Sequence, residues 1–258
     1  MKFDDDQFLK EFNELGFVIM KDVLSTAFVE HARNELEDAI EKEVEWHGTR
    51  DYNDYGMVLL CSLYGGAFLE LFDNEQLMKP FNLVLGEGCI VYAYTSSSLP
   101  PKSTNFSTRI HVDSPRLIPS YPTNMGATIL LDDFKEENGA TWFLPASHTT
   151  AEAPNSDTFK AQAKRLVAPA GSVFFFNARI WHTSDLNHTG EWRHALTLNM
   201  CRSFMKQRID IPRAMAHMDL NEVSNTVKQK LGFLAQTPAS YEEYYVPPEQ
   251  RKFQQKPE

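Results

Sequence analysis

Cys89-Ile90-Val91-Tyr92-Ala93-Tyr94-Thr95 opens a series of short β-type runs. The series continues through Phe106–Val112, Met125–Leu131, Thr141–Leu144, Ala163–Val167, Ser172–Phe176 and Ala195–Cys201. Turn-forming stretches separate the runs, among them Ser96–Lys102, Glu136–Gly139 and Pro169–Gly171. Short strands punctuated in this way predict a sandwich or barrel of the jelly-roll kind.

On the N-terminal side the texture is helical. Asp4 followed by Gln7 reads as an N-cap pair, Phe8, Phe12 and Leu15 recur at helical spacing, and Gly16 stops the helix. Phe17–Met20 reads as a short strand. Ser25 is placed to cap a long helix in which Val29, Ala32, Leu36, Ala39 and Ile40 share one face. After Arg213 helical spacing returns through Met215, Met218, Val223, Val227 and Leu231, and the tail Tyr241–Glu258 is expected over the surface. With no repeat, low-complexity tract or clear linker, the expectation is one domain over 1–258. Its parts are a helical N-terminal layer at 1–87, a jelly-roll core at 88–205, and a C-terminal helix and flap at 206–258. The expected class is mainly β with flanking helices.

Apolar residues make up 42 % of the 258 positions and aromatics 12 %, enough for a sizeable core. A net charge of −10 excludes the clustered basic face that nucleic acid demands, and equally a surface that binds anionic lipid by charge. Cys61, Cys89 and Cys201 are few, odd in number and without metal-type spacing, which suits a reducing compartment. Met1–Phe12 has no apolar leader core, and no apolar run reaches the ~18 residues of a membrane span. These features point to a cytoplasmic protein, monomer or homodimer, acting on a small-molecule substrate.

The chemistry concentrates around His111-Val112-Asp113. On a strand, residues i and i+2 point to one face, so imidazole and carboxylate can reach one metal ion together. His182, after the apolar run Val173–Phe176, can join them from a neighbouring strand. Two His and one carboxylate cover one face of an octahedron and leave room for a bidentate co-substrate and O₂, the arrangement of non-haem Fe(II) oxygenases. An HxD pair alone is weak, since most such pairs sit in turns or cores. Arg193 strengthens it: eleven positions after His182, at the start of the next run, it offers a planar fork suited to a carboxylate, although an exposed strand-end arginine would look the same.

Further segments frame these residues. They are Gly16-Phe17-Val18-Ile19, Glu137-Asn138-Gly139-Ala140-Thr141-Trp142-Phe143-Leu144-Pro145-Ala146-Ser147-His148, Ala170–Phe176, Trp181-His182 and Arg193-His194-Ala195-Leu196-Thr197. In this order they resemble the phytanoyl-CoA dioxygenase family of Fe(II)/2-oxoglutarate oxygenases, over most of the chain. The resemblance implies a double-stranded β-helix (cupin-like) core. It also implies His111, Asp113 and His182 as iron ligands, and Arg193 as partner of the distal carboxylate of 2-oxoglutarate. Thr141 matches a co-substrate threonine of related fungal members, unless it is an ordinary strand residue, and Thr128 is the alternative. Arg109 stands where some relatives carry glutamine near the co-substrate, and it serves either there or in a structural salt bridge.

The usual family motif PGSH is Pro145-Ala146-Ser147-His148 here, with His148 expected to form structural hydrogen bonds. Asp113 keeps the carboxylate that related halogenases lack, which favours hydroxylation, desaturation or ring formation. The implied activity is oxidation of a small secondary metabolite or amino-acid derivative, with release of succinate and CO₂. A cupin-like dioxygenase without 2-oxoglutarate and a non-catalytic jelly-roll binding protein are the competing readings. Tyr92, Tyr94, Arg109, Arg116, Tyr121 and Trp142 are the expected substrate neighbours, under the segment Ser96–Asn105, the loop Ser114–Asn124 or the C-terminal flap.

Overall fold

A computed structural model describes residues 4–105, 108–247 and 250 of the chain. Asp4 accepts a hydrogen bond from the Gln7 amide at 3.0 Å and starts helix α1, Asp5–Leu15. Gly16, at φ +82°, ends it. A Cβ there would stand 2.4 Å from Nδ1 of His148, so the left-handed turn and the buried imidazole both require glycine. Strand β1 follows at Phe17–Met20. Helix α2 spans Thr26–His47 from its Ser25 cap and buries Val29, Ala32, Leu36, Ala39 and Ile40, the expected face.

Helices α3 (Gly66–Glu70) and α4 (Glu75–Leu85) complete the N-terminal layer. Strands β2 (Ile90–Ser96), β3 (Asn124–Leu130) and β4 (Trp142–Phe143) come next. Helix α5 (Ser156–Gln162) and strands β5 (Lys164–Arg165), β6 (Val173–Asn177), β7 (His182–Thr183) and β8 (Ala195–Cys201) follow. Three short helices, α6 (Ile211–Ala214), α7 (Asn225–Leu231) and α8 (Tyr241–Tyr244), lie toward the C-terminus.

The strands form two antiparallel sheets, one of five in the order β1-β6-β3-β8-β2 and one of three in the order β5-β4-β7. Period-2 alternation sorts the faces of the large sheet. Met125, Ala127, Ile129, Val173, Phe175, Leu196, Leu198 and Met200 join the helical residues Phe8, Phe12, Leu36, Phe68 and Phe81 in one core. The opposite face adds Leu130, Phe174, Phe176 and Ala195 to a second cluster with Phe143 of the small sheet. Gly126 makes room there, since a Cβ would come within 2.2 Å of the Phe176 ring.

Several expectations need correction. More of the described residues lie in helices than in strands, so the class is mixed helix and antiparallel sheet rather than mainly β. No strand covers Ile110–Val112: His111 forms only an isolated bridge, and Phe106 and Ser107 lie outside the described residues. The runs at 141–144 and 163–167 shrink to two paired residues each, the second preceded by the unexpected α5. The helical spacing after Arg213 splits into α6 and α7. The described part of the tail exposes Tyr241, Tyr244 and Tyr245, and residues 248, 249 and 251–258 lie outside the described set. No helix among the described residues is long and apolar enough to cross a membrane.

Candidate metal centre

His111 and His182 face each other across a backbone bridge in which each amide donates to the other's carbonyl at 3.0 Å. On its other side His182 pairs with Phe143 of β4, which fixes it within the small sheet. The two imidazole rings are 4.3 Å apart. Asp113 brings Oδ1 to 3.6 Å from Nε2 of His111 and 3.8 Å from Nε2 of His182. One ligand atom from each of the three residues falls within 4.8 Å of the others, close enough to hold one metal ion.

Hydrogen bonds behind the ligands set their orientation. Nδ1 of His111 lies 2.7 Å from the Arg109 carbonyl, and Nδ1 of His182 lies 3.0 Å from that of Ile180. A carbonyl only accepts, so each Nδ1 carries the proton and each Nε2 lone pair faces the centre. Burial, and then the neighbouring His182, push the His111 pKa below its usual range, which keeps it in the neutral form that ligation needs. Oδ2 of Asp113 accepts from Nδ2 of Asn199 at 3.1 Å, and Asn199 accepts in turn from Asn124 at 3.5 Å. Asn199 carries no sequence motif. Its signal is the alternation in β8, where Leu196, Leu198 and Met200 face one core while Thr197 and Asn199 face the cavity.

The three candidate ligands open onto a cavity of about 320 Å³ that is also lined by Thr128, Thr141 and Arg193. Arg193 is 2 % exposed, and its backbone is locked by reciprocal hydrogen bonds with Leu99 at 2.9 and 3.1 Å. Its guanidinium lies 4.2 Å over the Phe134 ring, and its Nε has no hydrogen-bond partner. Among the described residues no carboxylate comes within ion-pair distance of it. Burial pulls its pKa down to about 9, against the opposing pull of Asp132, so it is still a cation at neutral pH. A buried cation without an anion is costly, and a carboxylate ligand would satisfy it.

Arg109 is not with the others. It is exposed and absent from the cavity wall, because the chain around it is not a strand and the i, i+2 rule has no purchase. Its contribution is the carbonyl that orients His111. Of the expected substrate neighbours only Tyr92 lines the cavity, joined by Ser96, Ser97 and Asn105 of the expected overlying segment. Tyr94 is fully buried in the helical core. Trp142 donates to Asp185 and stacks under Arg165, while Arg116 and Tyr121 line a separate cavity with the loop Ser114–Asn124. His148, as expected, is a packing residue, with Nε2 3.2 Å from the Asn13 carbonyl.

The family model for phytanoyl-CoA dioxygenase (PhyH) matches residues 12–195, a span that contains the three ligands and Arg193. The chain belongs to the PhyH family. Relatives span nearly the whole PhyH-type chain. The uncharacterized protein Rv1501 of Mycobacterium tuberculosis is 28 % identical over 256 residues, covering 96 % of this chain and 94 % of its own. The dioxygenase FUM3 of Gibberella moniliformis is 24 % identical over 262 residues, covering 91 % of this chain and 84 % of its own. A non-haem monooxygenase, ThoJ, shares the fold with a TM-score of 0.66 at 18 % identity, over 78 % of this chain and 80 % of that one. Membership of PhyH makes the protein an enzyme of the oxygenase type, with a His-Asp-His cluster that could hold a metal ion.

Proposed function

We propose that the protein is a non-haem Fe(II)/2-oxoglutarate-dependent oxygenase that hydroxylates, or otherwise oxidises, a small organic molecule. The observation that carries this reading is one cavity holding both the His111/Asp113/His182 cluster and the uncompensated guanidinium of Arg193. The donor set suits iron: two imidazoles and one carboxylate would hold an ion and leave room for further ligands. The two facing sheets would then be the halves of a double-stranded β-helix in a single domain, with the ligands at the mouth between them.

In this reading Arg193 binds the distal carboxylate of 2-oxoglutarate through its planar fork, and Thr128 and Thr141 offer hydroxyls along the same wall. His111, Asp113 and His182 hold the ion, and Asn199 keeps the Asp113 carboxylate turned toward it. Phe174 and Phe176 exclude water from one side of the site, where ring centroids of Phe176 and His182 are 5.5 Å apart. The bound iron and co-substrate would supply the oxidising power, taken from O₂ with 2-oxoglutarate converted to succinate and CO₂. Asp113 would supply an oxygen ligand where related halogenases lack a carboxylate, which supports oxygenation over halogenation. Anaerobic addition of 2-oxoglutarate to the Fe(II)-loaded protein should produce a metal-to-ligand charge-transfer band, and aerobic turnover should release succinate. A protein that binds Fe(II) yet shows neither would instead be a dioxygenase of another cupin-like type.

A further inference from the structure

Among the described residues the charged side chains lining the cavity, histidines aside, are Asp113, Arg193 and Arg208. Arg208 has no part in the metal cluster and is exposed, so it stands at the mouth rather than at the buried end with Arg193. We propose that Arg208 determines specificity for the primary substrate, and that this substrate is a small organic acid, one carboxylate on a largely apolar body. The proposal rests on the iron/2-oxoglutarate reading above.

Charge balance carries the argument. In that reading a divalent ion and Arg193 would contribute three positive charges, and Asp113 with dianionic 2-oxoglutarate three negative ones. The inner cavity would therefore be neutral once loaded, because metal ligation takes imidazoles in their neutral form. Arg208 adds a single unbalanced positive charge, which a monoanionic substrate would neutralise. No carboxylate among the described residues lies within ion-pair distance of Arg208, in a chain whose net charge is −10. The nearby Asp210 caps α6 through the Arg213 amide instead.

The backbone of Arg208 is held firmly. A bulge between Val91 and Ala93 takes Tyr92 out of the β2–β8 ladder, and the freed Tyr92 carbonyl accepts the Arg208 amide at 3.0 Å. The preceding Gln207 donates to the carbonyls of Val91 at 2.8 Å and Leu231 at 3.1 Å. Arg208 is thus tied to an edge strand of the large sheet, beside the cavity, with its own side chain left for a ligand. Met57, Leu59 and Tyr92 line the same cavity, and Leu59 is 48 % exposed there, a surface for an apolar body.

The test uses the full-length protein loaded anaerobically with Fe(II) and 2-oxoglutarate. Hexanoate, octanoate, 4-phenylbutyrate and indole-3-acetate are each titrated against the matching primary amide by isothermal calorimetry. At least one acid should bind about tenfold more tightly than its amide, as expected for a charge-assisted contact at a partly solvated site. Arg208→Gln should erase that preference and Arg208→Lys should retain part of it, with 2-oxoglutarate affinity unchanged in both. The proposal is overturned if no acid outbinds its amide, a panel without any binding included, or if the preference survives Arg208→Gln. Failure of the wild type to bind 2-oxoglutarate in the same titration would sink the functional reading itself. Normal 2-oxoglutarate binding without any acid preference would sink only this inference.

Discussion

Replacing His182 with Ala removes a proposed ligand that is also a bridge residue, and His111→Ala removes its partner. Either variant should lose Fe(II) binding by calorimetry while keeping a native circular dichroism spectrum, because the bridge is made by backbone atoms. Asn199→Ala probes the layer behind the ligands. It deprives Asp113 of its 3.1 Å donor, and Fe(II) affinity should fall by roughly 10- to 100-fold with the ligands intact. An unchanged affinity would show that Asp113 is held by other means. Arg193→Ala should weaken 2-oxoglutarate binding by roughly 30- to 1,000-fold while Fe(II) affinity stays within about twofold. If 2-oxoglutarate binds as proposed, it should raise the Tm of the wild type, and that rise should shrink in the same variant, since the buried cation that would pair with the ligand is gone.

At the level of elements, β6 and β3 meet most tightly where Gly126 faces Phe176. Gly126→Ala should cost about 1–3 kcal/mol by urea denaturation, because the ring must move and both strands are central. Adding Phe176→Leu should recover part of that loss, and a Gly126→Ala variant as stable as wild type would mean the ring has room to turn. The elements that the sequence makes legible are those whose side chains alternate under burial on both faces. Val173-Phe174-Phe175-Phe176 and Ala195–Cys201 read as strands because both of their faces are covered. The helix from Thr26 to His47 is legible through its cap and its single apolar face. The run before Asp113 misleads, since His111 is held by one bridge and one side-chain contact to a carbonyl rather than by a ladder. Residue identity points to the His111/Asp113 pair, while the strand alternation invoked for Arg109 does not hold at an isolated bridge, and Arg109 lies off the cavity wall. Arg208 left no trace in pattern or motif. Its position depends on a bulge in β2, and a bulge breaks the periodicity from which contacts are inferred.

Across the whole molecule, buried histidines set the response to acid. His194 is 2 % exposed, stacks on Trp192 and lies 3.0 Å from the Ser98 hydroxyl, and burial pulls its pKa from 6.5 down to about 4. His111 and His148 are lowered by the same cause. A group that resists its proton in the fold and accepts it when unfolded costs nothing above pH 6.5. Its contribution is lost as the pH falls from there toward 4. For His194 the loss across that window is up to about 3 kcal/mol. His194→Asn should therefore flatten the dependence of unfolding free energy on pH between 6.5 and 4, relative to the wild type. Equal slopes would place the acid sensitivity elsewhere. The paired backbones of His111 and His182 have a consequence for how such a chain can vary in length. The intervening loops can gain or lose residues freely as long as the same two amides and carbonyls still meet. A single-residue slip at the bridge itself would turn one imidazole away from its partner and out of the cavity. Tolerance to insertion and deletion should then drop sharply within a residue or two of positions 111 and 182, a footprint that a scan of one-residue deletions would draw directly.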